Sequence, residues 1–214
     1  MSPPIRAILF DADGVIQNGN SAGLAARVER VLGFVPDPFE AFTREVFEAE
    51  HPALSGKAEL LELLEPIVAK WGAPGTALAL ATAWWCSTEA DLAVLSLIGR
   101  LRQQGLLCAL ASNQQRFRAG YMRQTFAYDT LFERSFYSYE LGCMKPDVRY
   151  FQHILASLPI APGQILFIDD LAENVAAARS VGIQAAQFVH PRSPDGVVAL
   201  RSLLETFSIC LPDG

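Results

Sequence analysis

Two aspartates stand one residue apart at the end of an apolar segment, in the stretch ILFDADGVIQ from Ile8 to Gln17. Carboxylates placed this way can attack an electrophile, transfer a proton or bind a cation. Side chains two residues apart in an extended chain point to the same side, so Asp11 and Asp13 share one direction. Gly14 lets the backbone turn sharply after them. The stretch predicts a chemical site at the end of a buried strand.

Polar residues also follow two later apolar segments, LLCALA at 106–111 and QILFID at 164–169, and one stands before a predicted helix. These residues are Ser112 and Asn113, Asp169 and Asp170, and Lys145. Ligands of open parallel sheets bind beyond the carboxyl ends of the strands. We therefore expect all of these side chains to collect with Asp11 and Asp13 at one edge of a sheet.

Four clustered carboxylates need a cation, because like charges packed together favour protonation. Mg²⁺ fits best, since it takes oxygen ligands from one or two carboxylates, waters and a substrate phosphate. Lys145 adds a fixed positive charge. We expect Ser112 to end a strand at a helix start, where its hydroxyl and the first helical N–H groups can hold an anion. The combination suits a phosphate under attack by a carboxylate.

The elements that must position these residues alternate between apolar strands and amphipathic helices. Strands are predicted at 5–11, 106–111, near 134–138, at 164–169 and in GIQAAQFV. Helices are predicted at 88–104, before Gly105, after LLCALA up to about 126, after Pro146, up to Gly182 and at 194–207. Apolar strands that alternate with helices indicate an α/β fold, a Rossmann-like three-layer core with a parallel sheet.

A helical block interrupts this alternation after the first strand. One of its helices is predicted to begin at Asp37-Pro38-Phe39-Glu40, with Asp37 as N-cap and Pro38 in the first turn. A second carries an apolar stripe from Leu60 to Trp71 and ends at Gly72 and Pro74. We expect an inserted α-helical cap at 18–90, and a core made of 1–17 and 91–214.

Composition narrows the function classes. The chain has 214 residues, is 51% hydrophobic and carries a formal net charge of −6, which argues against a nucleic-acid partner. No apolar run reaches the roughly 18 residues of a membrane span, and no signal-peptide pattern is recognised. The cysteines do not stand at zinc or redox spacing. We expect a cytoplasmic protein, a monomer or homodimer, without membrane association.

Four motifs, DADGV, LASN, MKPD and FIDDLAENV, resemble in order those of the haloacid dehalogenase-like hydrolase superfamily, over nearly the whole chain. The stretches YELGCMKPD and IDDLAENVAAARSVGI are most similar to its branch with a helical cap, which includes sugar-phosphate phosphatases and the phosphatase domain of soluble epoxide hydrolase. The resemblance implies a magnesium-dependent phosphatase that acts on a small phosphorylated metabolite through an aspartyl phosphate.

The resemblance also implies a role for each matching residue. Asp11 would be the nucleophile and a metal ligand, and Asp13 the general acid/base, with its backbone carbonyl on the metal. Asp170 would complete the metal ligands, and Lys145 would steady the nucleophile. The remaining residues would bind the phosphate or support the carboxylates: Ser112 and Asn113 in the first group, Asp169 and Asn174 in the second.

Three other functions remain open on this fold. A 2-haloacid dehalogenase uses the same nucleophile, but the dehalogenases of the superfamily carry a non-acidic residue where Asp13 stands. A phosphomutase uses the same aspartyl phosphate, and sequence separates it poorly from a phosphatase because the difference lies in how the cap excludes water. A non-catalytic binding protein is the third alternative.

Residues outside the motifs receive weaker interpretations. Trp84 and Trp85 are read as packing at the junction of insertion and core, with a substrate pocket as the alternative. His51 and Lys57 lie in a loop of the insertion that could reach over the site, although a plain surface connection is favoured. Arg116 and Arg118 are read as solvated residues of the helix after Ser112.

Overall fold

The computed structural model describes residues 3–19, 23–72, 76–191 and 195–210. The predicted helix stop at Pro74 and the predicted start of the last helix at 194 lie outside the described residues. None of the helices in these four ranges is both long and apolar enough to cross a bilayer.

A parallel sheet forms the centre of the molecule. The described strands are β1 (Ala7–Phe10), β2 (Gln17–Gly19), β3 (Thr88–Ala90), β4 (Leu107–Ser112), β5 (Arg134–Tyr137), β6 (Ile165–Asp169) and β7 (Gln184–Gln187). Five of them form the parallel sheet in the spatial order β5-β4-β1-β6-β7, so that the two strands next to β1 come from distant parts of the chain. Phe10, the last residue of β1, lies opposite Leu110 on one side and Ile168 on the other, which brings the carboxyl ends of these strands to one edge.

Helices cover both faces of this sheet. The described helices are α1 (Leu24–Leu32), α2 (Phe39–Leu54), α3 (Leu60–Lys70), α4 (Ala77–Trp85), α5 (Leu92–Gln103), α6 (Arg116–Phe126), α7 (Tyr128–Leu131), α8 (Ser138–Leu141), α9 (Val148–Ser157), α10 (Ala172–Ser180) and α11 (Gly196–Thr206), with a 3₁₀ turn at Pro162–Gln164. Ile8 and Phe10 pack with α5, α6, α7 and α11, whereas Ala7 and Leu9 pack with α9 and α10. The alternation along β1 thus serves two apolar layers, as in a strand buried on both faces. The predicted three-layer α/β fold is confirmed.

The first four helices form an apolar cluster of their own. Residues of α1, α2, α3 and α4 pack together around Phe42, Leu64 and Leu80. This block stands between β2 and β3, which pair with each other as a short antiparallel ribbon. The arrangement accords with an inserted cap, and the boundaries at 18–90 stay a prediction.

The structure corrects three local predictions. Thr88–Ala90 is strand β3 rather than helix, since it pairs with β2, and the helix begins at Leu92 with the Asp91 side chain accepting from the backbone of Ala93 and Val94. Asp37 is not the cap of α2, because Pro38, with extended backbone, stands directly before the helix. Ser112 does not border a helix. It ends β4, and α6 begins at Arg116, capped by the Gln115 side chain.

Candidate active site

Lys145 lies between two carboxylates at the edge where β1, β4 and β6 end. Its Nζ is 2.9 Å from Asp11 Oδ1 and 2.6 Å from Asp169 Oδ2, and it donates a further hydrogen bond of 2.9 Å to the backbone carbonyl of Ala111. The ammonium group is almost completely buried. A cation in this position offsets the repulsion between the carboxylates that end β1 and β6.

Asp169 is held by several donors besides Lys145. Its Oδ1 accepts from the backbone N–H of Leu171 at 2.8 Å and from Asn174 Nδ2 at 2.9 Å. Asn174 lies in the first turn of α10 and is buried. The carboxylate is thereby fixed toward Lys145. The contact places Asn174 against Asp169 rather than against Asp170.

Asp11, Asp169 and Asp170 form a compact group, in which one carboxylate oxygen from each lies within 4.8 Å of the others. Gly14 allows the loop after β1 to approach this group. It has a φ of +77°, and a Cβ at that position would lie 2.5 Å from Asp170 Oδ2. Only glycine combines this backbone conformation with so close an approach.

Burial and the neighbouring carboxylates disfavour the ionised forms of Asp11 and Asp170. Burial raises the pKa of Asp11 to about 7, with the charge of Lys145 opposing the shift and Asp169 adding to it. Burial and the charge of Asp169 also raise the pKa of Asp170. Burial alone would lower the pKa of Lys145, but Asp11 and Asp169 outweigh it and the pKa is raised. One ammonium thus serves three crowded carboxylates.

This group fits a magnesium ion. It offers hard oxygen ligands close together, and the raised pKa values of Asp11 and Asp170 mark where a further cation would relieve repulsion. The carboxylate oxygens of Asp169 already accept hydrogen bonds from Lys145, Asn174 and Leu171. Asp11 and Asp170 are therefore the side chains best placed to hold the ion.

Ser112 and Asn113 follow β4 at the same edge. The hydroxyl of Ser112 is buried and accepts from Gln114 Nε2 at 3.3 Å. Asn113 binds the backbone of Lys145 on both sides, donating to its carbonyl and accepting from its N–H, each at 2.9 Å. The side chain of Asn113 thus fixes the loop that carries Lys145.

Asp13 has surroundings of its own, although it stands only two residues from Asp11. Its Oδ1 accepts from Arg118 Nη2 at 2.6 Å and from Gln17 Nε2 at 3.1 Å, and its Oδ2 accepts from Gln114 Nε2 at 2.9 Å. The side chain of Arg118 is 13% exposed. The interpretation of Arg118 as a solvated residue was therefore wrong, whereas Arg116 is exposed and pairs with Glu59.

Sequence reasoning missed Arg118, Gln114 and Gln17 because each is an ordinary polar residue where it stands. One signal was available for Arg118. It lies in the first turn of α6, where a cation is unfavourable beside the positive end of the helix dipole, so its charge calls for an acidic partner.

The loop of the insertion reaches the neighbourhood of Lys145. His51 lies in α2 rather than in the predicted loop, and with Ser55 and Lys57 it lines a cavity of about 120 Å³ beside Cys143 and Met144, which directly precede Lys145 in the chain. Trp84 and Trp85 instead belong to the apolar cluster of the insertion, where the Trp84 ring packs against those of Phe42 and Phe47. That placement accords with their interpretation as packing residues.

Comparison with known proteins identifies a matching family and a relative that aligns over most of the chain. Residues 5–182 match the haloacid dehalogenase-like hydrolase family. The sesquiterpene phosphatase astK of Aspergillus oryzae is 26% identical over 184 residues, which cover 86% of this chain and 89% of the relative.

Solved structures show the same fold. The HAD family enzyme bt-2542 from Bacteroides thetaiotaomicron, in complex with magnesium and inorganic phosphate, gives a TM-score of 0.74 at 21% identity, covering 86% of this chain and 93% of that one. The L-2-haloacid dehalogenase from Xanthobacter autotrophicus, with chloropropionic acid covalently bound, gives 0.63 at 18% identity, covering 95% and 84%. The fold alone therefore does not distinguish a phosphatase from a dehalogenase. The match over residues 5–182 decides the family: the chain belongs to the haloacid dehalogenase-like hydrolases.

Proposed function

We propose that the protein is a magnesium-dependent phosphatase that hydrolyses a small phosphorylated metabolite through an aspartyl phosphate on Asp11. The observation that carries the proposal is the separation of Asp11 from Asp13. Asp11 lies among Lys145, Asp169 and Asp170, whereas Asp13 is bonded to Arg118, Gln17 and Gln114. Two neighbouring carboxyl groups in such different surroundings can take the two roles of nucleophile and general acid/base.

In the first step, an Asp11 oxygen attacks phosphorus while the bond from phosphorus to the leaving oxygen breaks. Asp13, in its protonated form, gives its proton to that leaving oxygen, so that an alcohol departs rather than an alkoxide. Lys145 supplies positive charge beside the attacking carboxylate. Ser112, at the end of β4, would bind the phosphoryl oxygens.

In the second step, water hydrolyses the aspartyl phosphate. The Asp13 carboxylate takes a proton from the water as its oxygen attacks phosphorus, and the bond between phosphorus and Asp11 breaks. Inorganic phosphate leaves, Asp11 returns as a carboxylate, and Asp13 is again protonated for the next substrate molecule. One acid/base residue thus serves both steps.

A magnesium ion, when bound, would supply the charge that lets a carboxylate approach a phosphate dianion. Asp11, Asp170 and the backbone carbonyl of Asp13 would hold it. The side chain of Asp169 supports this set by orienting Lys145.

Similarity to a sesquiterpene phosphatase over most of both chains supports a phosphomonoester as substrate. Asp13 favours phosphatase over dehalogenase, because a halide leaves as an anion and needs no proton. Its carboxyl group accepts three hydrogen bonds, which hold it in one orientation. The insertion above the site favours a small substrate over a macromolecule.

The test is release of inorganic phosphate from a panel of sugar phosphates, nucleotides, prenyl phosphates and an aryl phosphate, with magnesium and with a chelator. We expect turnover only with magnesium. Asp11→Asn should lower turnover by more than the ~10²–10⁴-fold typical of losing a general acid or base, and Asp13→Asn should lower it by about that range. Asp129→Asn, at an exposed carboxylate paired with Arg123, is the control and should retain full activity.

Unchanged turnover in Asp11→Asn, or turnover that does not respond to the chelator, would contradict the proposed mechanism. If the folded protein releases no phosphate from any substrate, chloride release from 2-haloacids and isomerisation of sugar phosphates become the next assays.

A further inference from the structure

Arg118 makes the shortest contact to the Asp13 carboxylate. Its Nη2 lies 2.6 Å from Asp13 Oδ1, and the same nitrogen donates to Thr88 Oγ1 at 2.9 Å. Thr88 is buried and belongs to β3, the strand through which the chain returns from the insertion to the core. Because Nη2 is also held by Thr88, the guanidinium offers Asp13 a charged donor in a fixed position.

The insertion supplies a further group near Arg118. Glu50, on α2, is buried, and its electrostatic partners include Arg118 and Asp13, with Gln115 and Trp85 as nearby hydrogen-bonding groups. The Nε of Arg118 is buried without a hydrogen-bond acceptor among the described residues. Arg118 therefore lies at a polar junction between α6, β3 and α2, rather than on a solvated helix face.

Geometry explains why the reaction would depend on this junction. A general acid works only when its oxygen lies within hydrogen-bond reach of the leaving atom, and a displacement of about 1 Å can cost ~10²-fold in rate. The Asp13 side chain is 38% exposed, so the protein must fix it by hydrogen bonds rather than by burial. Arg118 is the one charged donor among the described residues that bond its carboxylate.

We propose that Arg118 is a positioning residue that holds the carboxyl group of Asp13 toward the leaving oxygen and, in the second step, toward water. The inference rests on the proposed phosphatase function. It predicts a specific dependence on the substrate: the loss caused by removing Arg118 grows as the leaving group becomes a stronger base and needs its proton more.

The test compares Arg118→Ala and Arg118→Lys with the wild type on a series that runs from dinitrophenyl phosphate through phenyl phosphate to an alkyl phosphate. The parameter is kcat/KM, which reports the steps through departure of the leaving group. The control is Arg116→Ala, two residues earlier on the same helix, where an exposed side chain pairs with Glu59. Thermal unfolding of every variant monitors the fold.

For Arg118→Ala we expect a loss of ~10²-fold in kcat/KM on the alkyl phosphate, the lower end of the range for general acid catalysis, and less than ~10-fold on dinitrophenyl phosphate. Rapid mixing with dinitrophenyl phosphate should show a burst followed by slow turnover, because the second step also depends on Asp13. Arg118→Lys keeps the charge but replaces the planar guanidinium, whose Nη2 bonds Asp13 and Thr88, by an ammonium on a flexible chain, so its losses should be intermediate. Added guanidinium should partly restore the alanine variant.

An equal loss of kcat/KM across the series, or no loss, would overturn the inference while leaving the phosphatase proposal intact. If the proposed phosphatase function is wrong, the wild type will release no phosphate from any ester of the series, and the inference about Arg118 is then wrong as well. If Arg118→Ala does not fold, Arg118→Lys and Gln114→Leu test the same dependence, since Gln114 holds the other oxygen of Asp13.

Discussion

At the scale of single residues, Glu50 shows how a carboxyl group outside the motifs is governed by burial. It lies on the inward side of α2 and is 7% exposed, whereas Glu48, two residues earlier, is exposed. Burial raises the pKa of Glu50 from its usual 4.5 to about 7; Arg118 opposes the shift and Asp13 adds to it. The folded state therefore binds a proton at Glu50 more tightly than the unfolded chain does.

The sign of the pH dependence follows from this difference. Protonated Glu50 contributes its full stabilisation below about pH 4.5, and the contribution is lost as the pH rises toward about 7, because only the unfolded chain ionises freely in that range. Glu50→Gln does not ionise, so we expect it to exceed the wild type in free energy of unfolding at pH 8 by on the order of 3 kcal/mol. Urea unfolding from pH 4.5 to 8 measures the difference.

Glu48→Gln is the matched control on the same helix. It should follow the pH dependence of the wild type, since the carboxyl group that it replaces is exposed. A wild type and a Glu50→Gln variant that differ by the same amount at every pH would show that Glu50 ionises with an ordinary pKa in the folded protein.

The residues of the site divide by whether the end of an apolar element marks them in the sequence. Asp11, Lys145 and Asp169 could be predicted because each follows or precedes a recognisable element, and the topology of a parallel sheet brings such ends together. The contact from Arg118 to Asp13 depends instead on how α6 is rotated, so the sequence indicates an acidic partner for Arg118 but does not identify it as Asp13. Sequence thus predicted the group around Lys145 but not the surroundings of Asp13.

At the scale of elements, the sequence pattern predicted the strands buried on both faces but not the three-residue strand β3. β1, β4 and β6 are apolar along their length because they are buried on both faces, and that pattern is readable. β2 and β3 have three residues each, too few for a periodicity, and Thr88–Ala90 was assigned to the following helix. Its strand conformation arises from pairing with β2, a tertiary interaction.

The turn after α2 is one of the places where the insertion contacts the core. Gly56 has a φ of +68°, and a Cβ at that position would overlap the backbone carbonyl of Tyr139 in α8. His51 and Lys57, on either side of this turn, line the cavity next to Met144. A methyl group at position 56 must therefore displace the turn from the core.

We expect Gly56→Ala to raise KM for the best substrate several-fold and to lower the free energy of unfolding by more than the ~1–2 kcal/mol that a left-handed backbone costs an alanine. Gly105→Ala is the control, because Gly105 has a φ of +87° but no described neighbour within 4 Å of an added Cβ. It should show the backbone cost alone and an unchanged KM. Equal effects of the two substitutions on KM and stability would mean that the Tyr139 contact does not position the turn.

At the scale of the whole molecule, the apolar residues that the structure describes form three clusters rather than one. Two of them fill the layers between the sheet and its helices, and the third lies within α1 to α4. The chain connects the third cluster to the core through the β2–β3 ribbon. We infer that the insertion is a packing unit that opens separately from the sheet, with boundaries near 18 and 90.

Phe42 tests this organisation because it lies at the centre of the third cluster, with its ring centroid 5.5 Å from that of Trp71 and 6.0 Å from that of Trp84. Phe42→Ala should cost about 3–5 kcal/mol, the usual range for truncating a buried phenylalanine. If the insertion opens separately, hydrogen exchange should rise in α1 to α4 while β1, β4 and β6 keep their protection.

Phe151→Ala, the same truncation in α9 beneath the sheet, should instead raise exchange in β1 and β6, because its ring packs against Phe167. A uniform rise in both variants would mean that the insertion and the core unfold as one cooperative unit. A rise confined to α1 to α4 in Phe42→Ala would mean that the insertion unfolds without disturbing the strands that position Asp11 and Asp169.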